Sequence, residues 1–245
     1  MSDFEILSQG NYEEYLPHLI VIPNKKEYSK PIREIIEKKW LSDKKKNSFL
    51  FDGIAYSLLS FSQKDNILTF EIQKTGYKCF NGTNLNPEFS YPSYEMANIL
   101  AVCSLVKTRD QKFLFGKRSN FVAEGKGLWH IPGGNVDKIY EKNTLEKIMI
   151  KELQEECNID KSLISEIKNI GFGRSKTTNK PEIIFLTKIK LSFKDLSNKL
   201  KKAKHEFEHT EFKMIDENDL GHFINSRKFV PVGKAAVKLY LEYYV

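Results

Sequence analysis

Cysteine is scarce in this 245-residue chain: Cys79, Cys103 and Cys157 make up the whole complement. They lie too far apart for a disulfide framework or a zinc site, both of which need closely spaced pairs. The expectation is a reducing, cytoplasmic location. Long hydrophobic runs are missing too; none approaches the roughly 18 residues of a membrane helix, and the opening MSDFEILSQG has neither the basic stretch nor the apolar core of a secretory leader. No membrane partner is expected. There is also no arginine-rich stripe. The net charge is +7, but the lysines come in short groups (Lys25-Lys26, Lys38-Lys39, Lys44 to Lys46, Lys201-Lys202) interleaved with acids. That pattern predicts a solvated basic surface and no nucleic-acid partner. Such a surface also attracts a phosphorylated small molecule.

What is present is an ordinary globular composition, 40% hydrophobic and 29% charged, in a chain long enough to bury a real core. A helix is expected to open at Ser29-Lys30-Pro31, with Ser29 as N-cap and Ile32, Ile35, Ile36 and Trp40 as its apolar stripe; Asp43 to Asn47 then reads as a loop. Strands are expected at Ala55–Phe61 and Ile67–Ile72, joined by the polar Ser62 to Asn66. The glycine-punctuated Thr75 to Asn84 reads as a loop, either a plain turn or a pocket wall in which Tyr77 or Phe80 stacks on a ring and Thr83 or Asn84 bonds its edge. Proline and serine cluster between Pro87 and Pro92, which sets the expected boundary between residues 1–92 and 93–245. The second part reads as strands at 99–106, 112–116, 128–131, 170–174, 182–191 and 212–215. Helices are expected at 196–204, 216–223 and 233–243. The fold class is α+β, a mixed sheet sandwiched between helices after a smaller α+β region.

The chemistry concentrates between Pro132 and Ile159. Leu145, Ile148, Met149, Leu153 and Cys157 recur at spacings of three and four, so the segment is an amphipathic helix. Glu152, Glu155 and Glu156 share one face of it, and like charges at that spacing repel by roughly 0.2–0.5 kcal/mol per exposed pair. Lys151 is their one local cation. A solvated acidic face is the plain alternative. Clustered oxygen ligands otherwise suit a hard divalent cation, Mg²⁺ or Mn²⁺.

With its lead-in Gly127-Leu128-Trp129-His130-Ile131-Pro132-Gly133-Gly134, the stretch Lys151-Glu152-Leu153-Gln154-Glu155-Glu156-Cys157-Asn158-Ile159 resembles the signature of the Nudix hydrolases. It departs in places. Sixteen residues separate Gly134 from Lys151 where the signature has thirteen, and Glu141 is the glutamate nearest to the signature's first-glutamate register. Lys151 replaces an arginine. Asn158 replaces a glycine, a tolerable change because asparagine accepts a left-handed helix end. Phe51-Asp52-Gly53, Thr75-Gly76-Tyr77-Lys78, Gly82-Thr83-Asn84, Gly173-Arg174 and Gly233-Lys234-Ala235-Ala236 resemble one atypical Nudix subgroup with an extended box and an extra N-terminal domain, over residues 45 to 245. The resemblance implies a Nudix fold and hydrolysis of UDP-glucose or UDP-galactose to UMP and sugar 1-phosphate. Alternatives are another nucleoside diphosphate compound of the ADP-ribose type, or a module that senses a nucleotide without cleaving it.

The resemblance further implies catalytic and metal-binding roles for Glu152, Glu155 and Glu156. Gly133, through its carbonyl, and Glu208 are candidates to complete the metal site; Glu211 competes with Glu208. Arg174 and Arg118 are candidates for the diphosphate, since a guanidinium bonds it bidentately; either would otherwise be a surface arginine paired with an acid. Tyr77, Thr83 and Asn84 are the substrate-binding candidates of the first part. His130 is expected to make a structural hydrogen bond.

Overall fold

The computed structural model describes residues 3–9, 17–64, 67–201 and 208–245. Strand β1 (Phe4–Gln9) and β2 (His18–Lys25) precede helix α1 (Lys30–Lys46). The hairpin strands β3 (Ile54–Lys64) and β4 (Ile67–Gly76) lead directly into the short helix α2 (Tyr77–Gly82). Then come β5 (Ala101–Lys107), β6 (Lys112–Arg118), β7 (Trp129–His130), β8 (Gly133–Asn135) and α3 (Thr144–Cys157). The chain ends with β9 (Ile164–Ser175), β10 (Pro181–Ile189), α4 (Phe193–Leu200), β11 (His209–Asp216), α5 (Leu220–Ser226) and α6 (Pro231–Tyr243).

The larger sheet runs β1-β9-β10-β5-β6-β11, with β7 added to β6 and β8 to β5; the smaller runs β2-β4-β3. In the large sheet β10 lies parallel to β5, with Glu182 beside Ala101 and Leu186 beside Leu105. Central strands buried on both faces need apolar residues at every position, and Ile183-Ile184-Phe185-Leu186 supplies them. Ile183 and Phe185 pack with α3 and α4, Ile184 and Leu186 with α5 and α6. Ile148, Met149 and Leu153 of α3 are fully buried, each contributing roughly 1.5–3 kcal/mol over exposure. This apolar seam fixes α3 against the sheet and so decides where its glutamates point.

The first part of the chain has a small core of its own, in which Tyr28, Ile32, Ile36 and Phe89 pack together, but its sheet packs on the second part. Leu68, Phe70 and Ile72 of β4 share one cluster with Leu100, Val102 and the α3 seam, and the Phe70 ring meets Phe172 of β9 edge-on at 4.7 Å. Strand β1 crosses the expected boundary at residue 92 outright, pairing antiparallel with β9 from Phe4 opposite Ser175 to Gln9 opposite Gly171.

Other differences have local causes. Helix α1 continues through the lysines expected to form a loop, because Lys39 and Asp43 pair along one face and Lys44 to Lys46 complement the negative end of the helix dipole. The expected loop Thr75 to Asn84 contains α2: Oδ1 of Asp52 accepts from the Lys78 N–H at 2.8 Å and the Gly53 carbonyl from the Tyr77 N–H at 2.9 Å. Gly76 and Gly82 punctuate its two ends. The tip of the β3-β4 hairpin (Asp65, Asn66) and the end of the expected helix at 196–204, with Lys202 and His205 to Phe207, lie outside the described residues.

Candidate functional site

Helix α3 stops where the sequence suggests, at Asn158 in the left-handed region (φ 56°). The Asn158 and Ile159 N–H groups close the last turn on the Gln154 and Leu153 carbonyls, both at 3.0 Å. The helix therefore presents Glu152, Glu155 and Glu156 to the Gly133-Gly134 turn of β8. A methyl group on Gly134 would lie 2.4 Å from Cδ of Glu152, so only glycine lets the carboxylate sit against this backbone.

Glu156 is the innermost of the three. Its side chain is 4% exposed and its Oε2 lies 3.2 Å from Nε2 of His209. His209 is entirely buried; burial and then the Arg118 charge hold its imidazole down to about 4, so the contact is a hydrogen bond and not an ion pair at neutral pH. His209 fits because β6 has Gly116 alongside: a side chain there would begin 2.4 Å from the ring. One ligand atom each from Glu156, Glu208 and His209 lie within 4.8 Å of one another. Burial, and after it Glu208, pushes the Glu156 carboxyl well above the usual range, against a hydrogen bond from the Gly133 N–H. Burial, and after it Glu156, pushes Glu152 up to about 8.

Lys151 reaches Asp137 at 2.9 Å, Glu152 at 3.5 Å and Glu155 at 3.7 Å. Burial opposes the charge, yet these carboxylates raise the amine above the usual lysine range. Lysine thus orients two glutamates here, and Asp137 from the extended segment anchors it. Glu141 is exposed and lies off the cavity wall. The carboxylates of Glu152, 13% exposed, and Glu156, 4% exposed, crowd together with Glu208 nearby into an oxygen-rich set. Such a set fits a hard divalent cation.

Glu152, Glu155, Glu208, Gly133, Arg118 and Tyr77 all line one cavity of about 520 Å³, a size suited to a nucleotide-sized ligand. Glu156 stands behind them. Arg118 lines the cavity, and its charge acts on Glu156 and His209 as well as on Tyr77, Lys180 and Glu182. Its Nε donates to the Glu124 carbonyl at 2.9 Å. Burial pushes the Tyr77 phenol up to about 12. At the cavity mouth the Phe49 and Phe121 rings meet edge-to-face at 5.6 Å, and both rings are more than half exposed.

Three sequence candidates lie elsewhere. Arg174 pairs with Glu5 of β1 at 2.7 Å, away from the cavity lining, because the edge strand β1 supplies it with an acid. Thr83 and Asn84 are buried struts. Thr83 Oγ1 donates to the Cys79 carbonyl at 2.7 Å and accepts from the Ala97 N–H at 3.1 Å. Asn84 Nδ2 donates to Asn98 Oδ1 at 2.9 Å and to the Thr178 carbonyl at 2.7 Å. They brace the segments carrying Tyr77 and Lys180 without reaching the cavity. Glu211 is exposed, and Lys213 lies 3.4 Å from it. His130 lines the cavity wall, and no described residue bonds its Nδ1, so the expected structural hydrogen bond is not made there.

The sequence reading missed His209, Asp137, Glu124, Lys180 and Glu182. Glu182 carried a signal: a charge immediately ahead of the apolar run Ile183 to Leu186 of a central strand.

A family model, "NUDIX domain", matches residues 97–233. "Nudix hydrolase 9" of Arabidopsis thaliana is 22% identical over 228 residues, covering 77% of this chain and 73% of that protein. Among solved structures, DR0079 from Deinococcus radiodurans aligns over 60% of this chain and 83% of its own, at 11% identity and TM-score 0.42. The NUDIX domain of Shewanella oneidensis NrtR, solved with ADP ribose, aligns over 62% and 93% at 19% identity and TM-score 0.43.

Proposed function

The chain belongs to the Nudix family, its match spanning more than half the sequence, and from that hydrolase class, which cleaves nucleoside diphosphates linked to a second group, we propose that it hydrolyses a UDP-hexose with Mg²⁺ or Mn²⁺. UDP-glucose or UDP-galactose would give UMP and the hexose 1-phosphate: water adds to one phosphorus of the bridge and the bridging P–O bond breaks. The observation that carries this reading is the convergence of Glu152, Glu155, Glu208 and Arg118 on one cavity.

Glu152, Glu155, Glu156 and Glu208 are the residues that would hold the cation. A divalent cation there supplies charge neutralisation at the phosphoryl oxygens and lowers the pKa of a bound water. Lys151 fixes Glu152 and Glu155 in place. Arg118 offers guanidinium donors to the diphosphate, and the neutral His209 keeps Glu156 oriented. Phe49 and Phe121 at the mouth offer ring faces for the uracil. The UDP-hexose assignment rests on the segments Phe51-Asp52-Gly53 and Thr75-Gly76-Tyr77-Lys78, which interlock through Asp52 and set Tyr77 on the cavity wall.

The test is a panel of UDP-glucose, UDP-galactose, ADP-ribose and other nucleoside diphosphate compounds with Mg²⁺ or Mn²⁺, run on the wild type and on Glu155→Gln/Glu156→Gln. UMP and hexose 1-phosphate should form with the wild type alone and stop on adding chelator. Cleavage of a different compound with UDP-hexoses untouched refutes the substrate; binding of UDP-hexose without any turnover favours a sensing module.

A further inference from the structure

Besides the α3 glutamates and Arg118, the cavity wall holds a polar group, carried by β10, that the diphosphate chemistry does not use. Glu182 lies on β10, beside the small Ala101 of β5, and lines the cavity although only 4% of it is exposed. Its carboxyl makes no hydrogen bond and no ion pair with any described residue. Lys180, two positions earlier, is engaged elsewhere: its Nζ lies 3.1 Å from Oε2 of Glu124 and 5.5 Å from the Phe80 ring centroid. Burial, only partly offset by Lys180, raises the Glu182 carboxyl to about 7. Buried polar side chains are overwhelmingly hydrogen-bonded in folded proteins, and a carboxylate turned into a binding cavity without a partner has its donor supplied by the ligand. A phosphate is the wrong partner, since two anions would repel; a neutral N–H or O–H is the right one.

We propose that Glu182 is a specificity-determining residue that accepts a hydrogen bond from a neutral N–H or O–H donor on the part of the substrate beyond the diphosphate. This rests on the reading of the cavity as the site of a nucleoside diphosphate hexose. Helix α3 carries Glu152 and Glu155, β10 carries Glu182, and all three line the one cavity, so the diphosphate lies at the α3 glutamates and the donor at Glu182. In a UDP-hexose that donor is the imide N–H of uracil or a hexose hydroxyl. Both present the same chemistry to a carboxylate, and a site built around such a bond rejects the analogue lacking the donor.

The experiment measures kcat and KM for the wild type, Glu182→Gln and Glu182→Met on UDP-glucose, on UDP-glucose methylated at uracil N3, and on UDP-glucose analogues with single hexose hydroxyls removed. Glu182→Gln keeps an acceptor oxygen without the charge, and Glu182→Met fills the volume without an acceptor. One analogue should lower wild-type kcat/KM by roughly tenfold to a hundredfold, mainly through KM. The same analogue should cost Glu182→Met less than about threefold, with Glu182→Gln between; which analogue shows the coupling identifies the donor. Equal losses for every analogue in all three proteins, with the variants folded by tryptophan fluorescence, overturn the proposal. If the wild type leaves UDP-hexoses intact but cleaves another compound of the panel, the substrate reading fails alone. The same comparison on that compound, with its donors removed singly, then decides the role of Glu182.

Discussion

Glu182→Gln should make the protein more stable, and by an amount that depends on pH. In the unfolded chain a glutamate ionises at its ordinary value of 4.5, whereas in the fold burial raises Glu182 to about 7. Between these values folding takes up a proton, so stability falls as pH rises through the interval. The cost is absent below 4.5 and complete above 7. At about 1.4 kcal/mol for each pH unit, the full cost is about 3 kcal/mol at pH 8 and about a quarter of that at pH 5. Glutamine has the same shape as the protonated acid and never ionises, so it carries none of this cost. Lys180 keeps its pairing with Glu124 in the variant, which prevents the substitution from stranding a buried cation. Urea denaturation followed by fluorescence, at pH 5 and pH 8, gives both free energies directly. A variant less stable than wild type at pH 8, or equally shifted at both pH values, would falsify the account of Glu182 as a buried carboxyl short of partners.

Three further substitutions probe other steps. Gly134→Ala drives a methyl group into the Glu152 carboxylate and should lower kcat by about a hundredfold, through misplacement of a ligand by about an ångström, while the melting temperature moves by only a few degrees. Asn158→Ala puts a poorly tolerated residue in a left-handed helix end and should cost about 1 kcal/mol in chemical denaturation, with Asn158→Gly close to neutral. Arg174→Ala removes a half-exposed ion pair with Glu5; it should leave kcat/KM within about twofold of wild type and cost at most about 1 kcal/mol.

The helix at the centre of the site was legible because its determinants are local: apolar residues at spacings of three and four, and an asparagine where the chain must turn left-handed. Its position against Gly133-Gly134 was legible by resemblance. The part of the cavity wall at β10 was not. Glu124, Lys180 and Glu182 meet only because β10 lies parallel to β5 and the segment after β6 folds back over both, and no local pattern encodes that pairing. Arg174 shows the converse error. The guanidinium looked available only because β1, far away in sequence, gave no sign that Glu5 would reach it. Gly76 and Gly82 misled in a third way, marking the ends of a helix and not the turns of a loop. The departure at Lys151 resolves locally: the extended segment that lengthens the box also contributes Asp137, and lysine with that partner holds two glutamates.

The pairing of β1 with β9 carries a consequence for how the protein is made. Arg174 and Glu5 are 169 residues apart in the chain, and at roughly 5–20 residues per second of synthesis β1 waits on the order of ten to thirty seconds for its partner. Throughout that time Phe4, which is buried in the finished fold, has no β9 to pair against. Chain-length-resolved protease protection on ribosomes should therefore find β1 accessible until β9 has emerged, which makes the nascent chain the stage at which this protein is most exposed to wrong strand pairing.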